Sequence, residues 1–174
     1  MKSQFLPSKF SPPKHSTIPG YFIEPIKAEN ALEDWIVITN NVEIINLTRG
    51  EHSEKIGKKD NKSNDVNDWP RSITLERNYK ELAWLEICAE NKQLFSYIIR
   101  STQNQAYAGC LYIFPIEIFF PGKAEKFDVD FSFWITQSEF NNGKYRQIFS
   151  ALMTWLTTDW PFKKDRIFVR NKLI

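Results

Sequence analysis

Two carboxylates of this 174-residue chain occupy settings in which acid–base chemistry is feasible. Glu86 falls on the apolar stripe of a helical segment, and Asp130 lies on the more polar side of an alternating extended segment. A carboxylate held beside nonpolar neighbours is a candidate proton acceptor. Each also suits a plain structural role, Asp130 as a solvated strand carboxylate and Glu86 as a buried one with a hydrogen-bonded partner. Metal chemistry has poorer material. The only cysteines are Cys88 and Cys110, and the only histidines, His15 and His52, fall in segments without apolar periodicity. The usual Cys/His zinc sets cannot assemble from these, and no metal is expected. Both cysteines sit in apolar contexts, where a free thiol behaves as a small hydrophobe.

These residues need elements to hold them. Glu86 belongs to a helix that Thr74 caps, with Glu76 against the amino-terminal end of the dipole and an end near Asn91. Leu75, Tyr79, Leu82, Ala83 and Ala89 form one stripe, and Trp84, Leu85, Ile87 and Cys88 widen it, which predicts burial on more than one side. Three strands follow, at 94–101, 106–117 and 126–136, and the short link TQNQ predicts an antiparallel hairpin for the first two. The third alternates: Phe127, Val129, Phe131, Phe133 and Ile135 take a core face, while Asp128, Asp130, Ser132, Trp134 and Thr136 take the other. QSEFNNG breaks this strand. A helix over 145–160 then carries Tyr145, Ile148, Phe149, Leu152 and Leu156 at three- and four-residue spacing and stops at Pro161. RIFVRNKLI opens as a last strand, parallel to the third if the crossover is right-handed. Upstream, residues 21–26 predict a short strand, with Pro25 marking a sheet edge or the strand's end, and 28–47 a helix.

Composition bounds the rest. With 42% hydrophobic and 15% aromatic residues the chain can bury a substantial single core, so one domain, 1–174, is expected. A net charge of +2, mixed along the chain, does not advertise a nucleic-acid or membrane-surface partner. Prolines interrupt any apolar run in the first twenty residues, which predicts an extended arm there, with neither a signal peptide nor a membrane span, and a cytoplasmic address. Residues 51–68, EHSEKIGKKDNKSNDVND, have almost no apolar content and predict a mobile polar loop.

The order strand, helix, helix, three strands, helix, strand resembles the GNAT superfamily of acetyl-CoA-dependent N-acetyltransferases over most of the span 21–169. The strings WPRSITLERN (69–78), FSYII (95–99), AGCLYIFP (108–115), FWIT (133–136) and WLTTDWPF (155–162) look like a small subgroup of that superfamily with a shortened carboxyl terminus. The resemblance implies an α/β (α+β) fold with a mixed, mostly antiparallel sheet and helices on both faces, lacking the superfamily's last helix and two strands. It also implies a sheet edge through which a homodimer could form by strand addition.

The function implied is transfer of acetyl from acetyl-CoA to a primary amine, on a small molecule or a peptide. The pantetheine arm would bond backbone groups of Trp134, Ile135 and Thr136, and the diphosphate would rest on unpaired amides of Asn141, Asn142, Gly143, Lys144 and Tyr145. The superfamily's loop has Gln or Arg, two residues, Gly, one residue, then Gly or Ala, whereas this chain offers Ser138, Asn141 and Gly143. EFNNG equally suits a helix cap. Glu86 and Asp130 are the base candidates, and Tyr112 or Tyr145 would protonate the leaving thiolate. The departures from the loop pattern favour an alternative, a non-catalytic GNAT-like CoA-binding or protein-interaction module.

Overall fold

The computed structural model describes residues 5–50 and 69–172, so the expected loop at 51–68 lies outside the described residues. The element order is β1 (Ser16–Ile18), β2 (Tyr21–Pro25), α1 (Ala31–Asn40), α2 (Val42–Thr48), α3 (Leu75–Glu90), β3 (Phe95–Ser101), β4 (Tyr107–Pro115), α4 (Ile116–Phe119), β5 (Val129–Ile135), α5 (Gln137–Asn141), α6 (Tyr145–Thr158) and β6 (Ile167–Val169). One six-stranded sheet runs in the order β1-β2-β3-β4-β5-β6. Every neighbouring pair is antiparallel except β5 and β6, which run parallel. This is the mixed, mostly antiparallel α/β architecture that the resemblance implies.

The alternation in β5 sorts its side chains into two cores. Phe131, Phe133 and Ile135 pack with the buried stripe of α6, Ile148, Leu152 and Leu156, and with Leu6 of the amino-terminal segment. On the opposite face Trp134, Cys110 and Ile98 pack with Ile38 of α1 and with Leu82 and Leu85 of α3. All seven residues of β5 are buried, so the side expected to be partly polar is covered as well. Removing each Leu or Ile of α6 from water is worth ~1.5–3 kcal/mol, enough to seat this helix without help from propensity.

Helix α3 corrects its expected stripe. Thr74 caps it, its Oγ1 accepting from the Arg77 amide at 3.2 Å, but the buried line is Asn78, Leu82, Leu85 and Cys88. Tyr79, Trp84 and Ile87 are more than half exposed, so this helix is buried on one side only. Asn78 is the anchor. Its Nδ2 donates to the Ala31 carbonyl and to Asp34 of α1, at 3.0 and 2.9 Å, which locks the two helices together.

The stretch before β2 is held to the body. Gly20, at φ 83°, turns β1 back against β2, and the Tyr97 hydroxyl donates to the Pro13 carbonyl at 2.8 Å. Positive φ is the reason a glycine stands at this turn.

Candidate functional site

The parallel pair β5–β6 runs together only briefly. Its register covers Val129 to Phe131 against Ile167 to Val169, and the Arg170 amide then donates to the Phe131 carbonyl at 3.0 Å. Beyond that point a side chain replaces the backbone. Asn171 accepts from the Phe133 amide through Oδ1 at 3.0 Å and donates from Nδ2 to the Phe133 carbonyl at 2.8 Å. A side-chain amide satisfying both groups of one residue means that the main chains have moved apart beyond ladder distance. The second hydrogen of the same Nδ2 is shared between the Thr48 carbonyl and the Tyr145 hydroxyl, each 3.0 Å away, and Tyr145 donates to the Lys172 carbonyl at 2.9 Å. The end of α2 and residues 170–172 therefore bridge the parting at the level of Phe133.

Two of the three residues expected to present backbone groups there do not. The Thr136 amide donates to the Ala108 carbonyl at 2.8 Å, and Trp134 lies opposite Cys110, so both turn their peptide groups toward β4. Alternation then turns those of Ile135 the other way, past the end of β6. Gly109, opposite Ile135, allows β4 to come this close: a Cβ there would stand 2.1 Å from the Trp134 carbonyl oxygen.

The turn after β5 departs further from expectation. Its amides are not free. Gln137 donates to Asn41 Oδ1 at 2.7 Å, Glu139 to Thr136 Oγ1 at 3.4 Å and Phe140 to the Thr136 carbonyl at 3.0 Å. Asn142 donates to Ser138, Gly143 to Phe140 and Lys144 to Glu139, at 3.0, 2.9 and 3.1 Å. The cause is local. Thr136, in extended conformation, caps a helical turn within the stretch expected to be a diphosphate loop or a helix cap, and Gly143 at φ 71° closes it. Asn141 is thus helical, and the amides of Asn142, Gly143 and Lys144 serve the turn. The first turn of α6, beginning at Tyr145, has no side-chain cap, and first-turn amides lack acceptors within their own helix.

The acid–base candidates are not brought together. Glu86 Oε2 accepts from the Ala28 amide at 2.8 Å and opens on a cavity of about 670 Å³ that also touches Glu24, Lys27, Glu90, Lys92 and Tyr97, two strands away from β5. Asp130 is 1% exposed, and Arg170 grips both of its oxygens. Burial raises the affinity of Asp130 for a proton, and the guanidinium of Arg170 works against that rise. Tyr112 projects from β4 opposite Ser132, its hydroxyl accepting from Trp134 Nε1 at 3.2 Å, and burial drives its pKa well above the usual phenol value.

Sequence reasoning missed four residues that shape this region: Asn41, Arg49, Arg170 and Asn171. Arg170 had a signal, because two steps past Phe168 on a strand parallel to β5 it falls beside Asp130. Arg49 had none. It closes α2, and Gly50, at φ 81°, follows with no room for a Cβ, which would lie 1.9 Å from the Arg170 carbonyl oxygen. That contact presses the end of α2 onto the carboxyl-terminal segment and carries the Arg49 guanidinium over the Tyr112 ring, 4.3 Å from its centroid.

Among the described residues no group of three or more His, Cys, Asp or Glu is placed to hold a metal, and no helix is long and apolar enough to cross a membrane. No protein-family model and no curated protein matches this chain. Solved structures do. A ribosomal-protein-S5-alanine acetyltransferase from Vibrio fischeri superposes with a TM-score of 0.53 at 13% identity, over 82% of this chain and 66% of that one. An acetyl transferase from Salmonella typhimurium that modifies the amino-terminal serine of ribosomal protein L7/L12 gives 0.52 at 15% identity, over 83% and 68%. A ribosomal L7/L12 alpha-N-protein acetyltransferase in complex with coenzyme A gives 0.54 at 17% identity, over 85% and 69%. The chain thus has the fold of the GNAT acetyltransferases. It spans about two-thirds of the length of these proteins.

Proposed function

We propose that this protein binds a coenzyme A thioester at the parting of β5 and β6 and transfers acetyl directly to a primary amine, with no covalent enzyme intermediate. The observation that carries the reading is the parting itself, beyond which the peptide groups of Ile135 are turned away from β4 and past the end of β6. An amide-rich pantetheine arm can bond such groups as a strand would. The diphosphate then falls to the first turn of α6, to the Tyr145 amide with the Lys144 ammonium beside it, where unsatisfied donors and the helix dipole favour anions. The amine would add to the thioester carbon, and as the tetrahedral adduct collapses the C–S bond breaks and the proton lost by the amine nitrogen passes, directly or through solvent, to the departing sulfur; Tyr112 is the side chain the resemblance offers for relaying it.

A second reading has its own support. The amides of Gln137, Glu139, Phe140, Asn142, Gly143 and Lys144 are occupied, and Asp130 is held by Arg170. Both observations favour a GNAT-like module that keeps the fold without the chemistry. Calorimetric titration with acetyl-CoA, paired with an assay of thiol release over a panel of amines, separates the two. Binding with release supports the transferase; absence of heat and of thermal shift at millimolar ligand supports the module. Should binding occur, Lys144→Ala and Tyr145→Pro should each weaken it, and unchanged affinity in both would move the diphosphate elsewhere.

A further inference from the structure

At Phe133 the neighbour of β5 is a side chain, and it offers the strand what a ligand would. Asn171 accepts from the Phe133 amide through Oδ1 at 3.0 Å and donates through Nδ2 to the Phe133 carbonyl at 2.8 Å. Both residues are buried, Asn171 at 8% exposure and Phe133 at 0%. A primary amide can meet both peptide groups of one residue because its donor and acceptor lie side by side. An extended chain of secondary amides meets the same two groups with successive units, as an added strand does. Pantetheine is such a chain, with two amides.

The place of Asn171 along the strand sets it in competition with that arm. Phe133 and Ile135 are successive residues of β5 whose peptide groups turn away from β4. A ligand arm that comes from the start of α6 and pairs with Ile135 reaches Phe133 next, where Asn171 already holds both groups. The same side chain is tied to the surroundings of that path. Its remaining hydrogen is shared by the Thr48 carbonyl, at the end of α2, and the Tyr145 hydroxyl, at the start of α6, each 3.0 Å away. The Lys172 amide donates to the same Thr48 carbonyl at 3.0 Å. One asparagine therefore links α2, β5, α6 and the segment after β6.

We propose that Asn171 sets the affinity of this protein for the pantetheine arm: in the free protein it occupies the position of a ligand amide, and the arm displaces it to run along β5. The inference rests on the coenzyme A reading. An arm that takes over the Phe133 amide and carbonyl restores both bonds that Asn171 gives up there. The bonds of Nδ2 to Thr48 and Tyr145 are not restored, and the fraction of molecules in which Asn171 has let go scales down the apparent affinity. A ligand with no amide arm gains nothing from the release.

Calorimetric titration of the unmodified chain and of Asn171→Ala tests this with coenzyme A, with pantetheine, and with the phosphorylated ADP half of coenzyme A on its own. Coenzyme A and pantetheine should bind Asn171→Ala at least about fivefold more tightly than the parent, and the nucleotide half should bind both alike. The gain in affinity accompanies a fall in urea midpoint. Leu82→Ala, a destabilising change in α3, should tighten neither ligand, which separates release of Asn171 from general loosening. In the unmodified chain the side-chain amide resonance of Asn171 should shift when coenzyme A binds, while the Phe133 amide keeps its slow exchange; this readout stands even if Asn171→Ala does not fold. Equal or weaker binding of coenzyme A by Asn171→Ala, or an Asn171 resonance that does not move, would overturn the role of Asn171 and leave the coenzyme A reading in place. Binding of coenzyme A to neither protein removes both.

Discussion

The two faces of β5 are made from alternate residues of one strand, yet they solve different problems. Toward α6, Phe131, Phe133 and Ile135 meet apolar and aromatic partners, and the indole nitrogens of Trp155 and Trp160 are buried in that core without acceptors. Toward α1–α3, Asp130 meets Arg170, the Trp134 indole donates to Tyr112, and the Ser132 hydroxyl and Arg49 Nε are buried without partners. The first face depends on shape and area. The second adds charged groups whose pairing must be met as well.

Substitutions can break or sharpen this contrast. The largest effect is expected at Asp130→Asn, which removes the carboxylate that grips Arg170 in a buried site. Loss of one partner from such a pair costs about 3–5 kcal/mol, read as a shift in urea midpoint. The double variant Asp130→Leu with Arg170→Met should recover most of it, because a packed apolar pair is nearly neutral against a buried ionic one. If the double variant is as unstable as the single one, shape governs this face as well. Leu152→Ala, on the apolar face, should cost about 2–5 kcal/mol with no charge partner able to rescue it.

Asn171→Ala probes the seam between β5 and β6. It leaves the Phe133 amide and carbonyl without partners, an expected loss of about 1–3 kcal/mol, with faster hydrogen exchange at Phe133. Exchange that does not change would mean that the strands close over the gap. The smallest effect concerns pH. Burial first raises the Asp34 pKa, against hydrogen bonds from Tyr107 and Asn78 that lower it. An acid whose folded-state pKa is raised favours the folded protein while protonated, and that stability is lost as pH climbs from the unfolded value through the folded one. Asp34→Asn should therefore show a flatter stability profile than the parent just above the ordinary aspartate range; parallel profiles would remove Asp34 from this account.

Much of the scaffold was legible in advance. The alternation of β5 and the three- and four-residue spacing of α6 survive in the fold because both elements press directly on a core, where burial enforces the period. Helix α3 was harder, since Tyr79, Trp84 and Ile87 are apolar yet exposed, so composition pointed to more burial than occurs. The turn after β5 misled for another reason. By the resemblance Thr136 and Gly143 are ligand-binding positions, but as cap and closure they make a helical turn that consumes the amides expected to be free.

Local pattern alone determined the order of the longer elements, the capped start of α3, the core face of β5 and the parallel return of the last strand, but not β1, the division of 28–47 into α1 and α2, or the short helices α4 and α5. Each follows from side-chain period and backbone preference over a few residues, which act wherever the chain happens to be. Which charges and hydroxyls go unpaired was decided only in three dimensions. Arg49 and Ser132 are 83 positions apart in the numbering, and they became neighbours of one tyrosine because Gly50 lets α2 press against the segment after β6. No period in the sequence encodes such an encounter, since it arises from long-range packing that brings distant donors into a shared, water-free space.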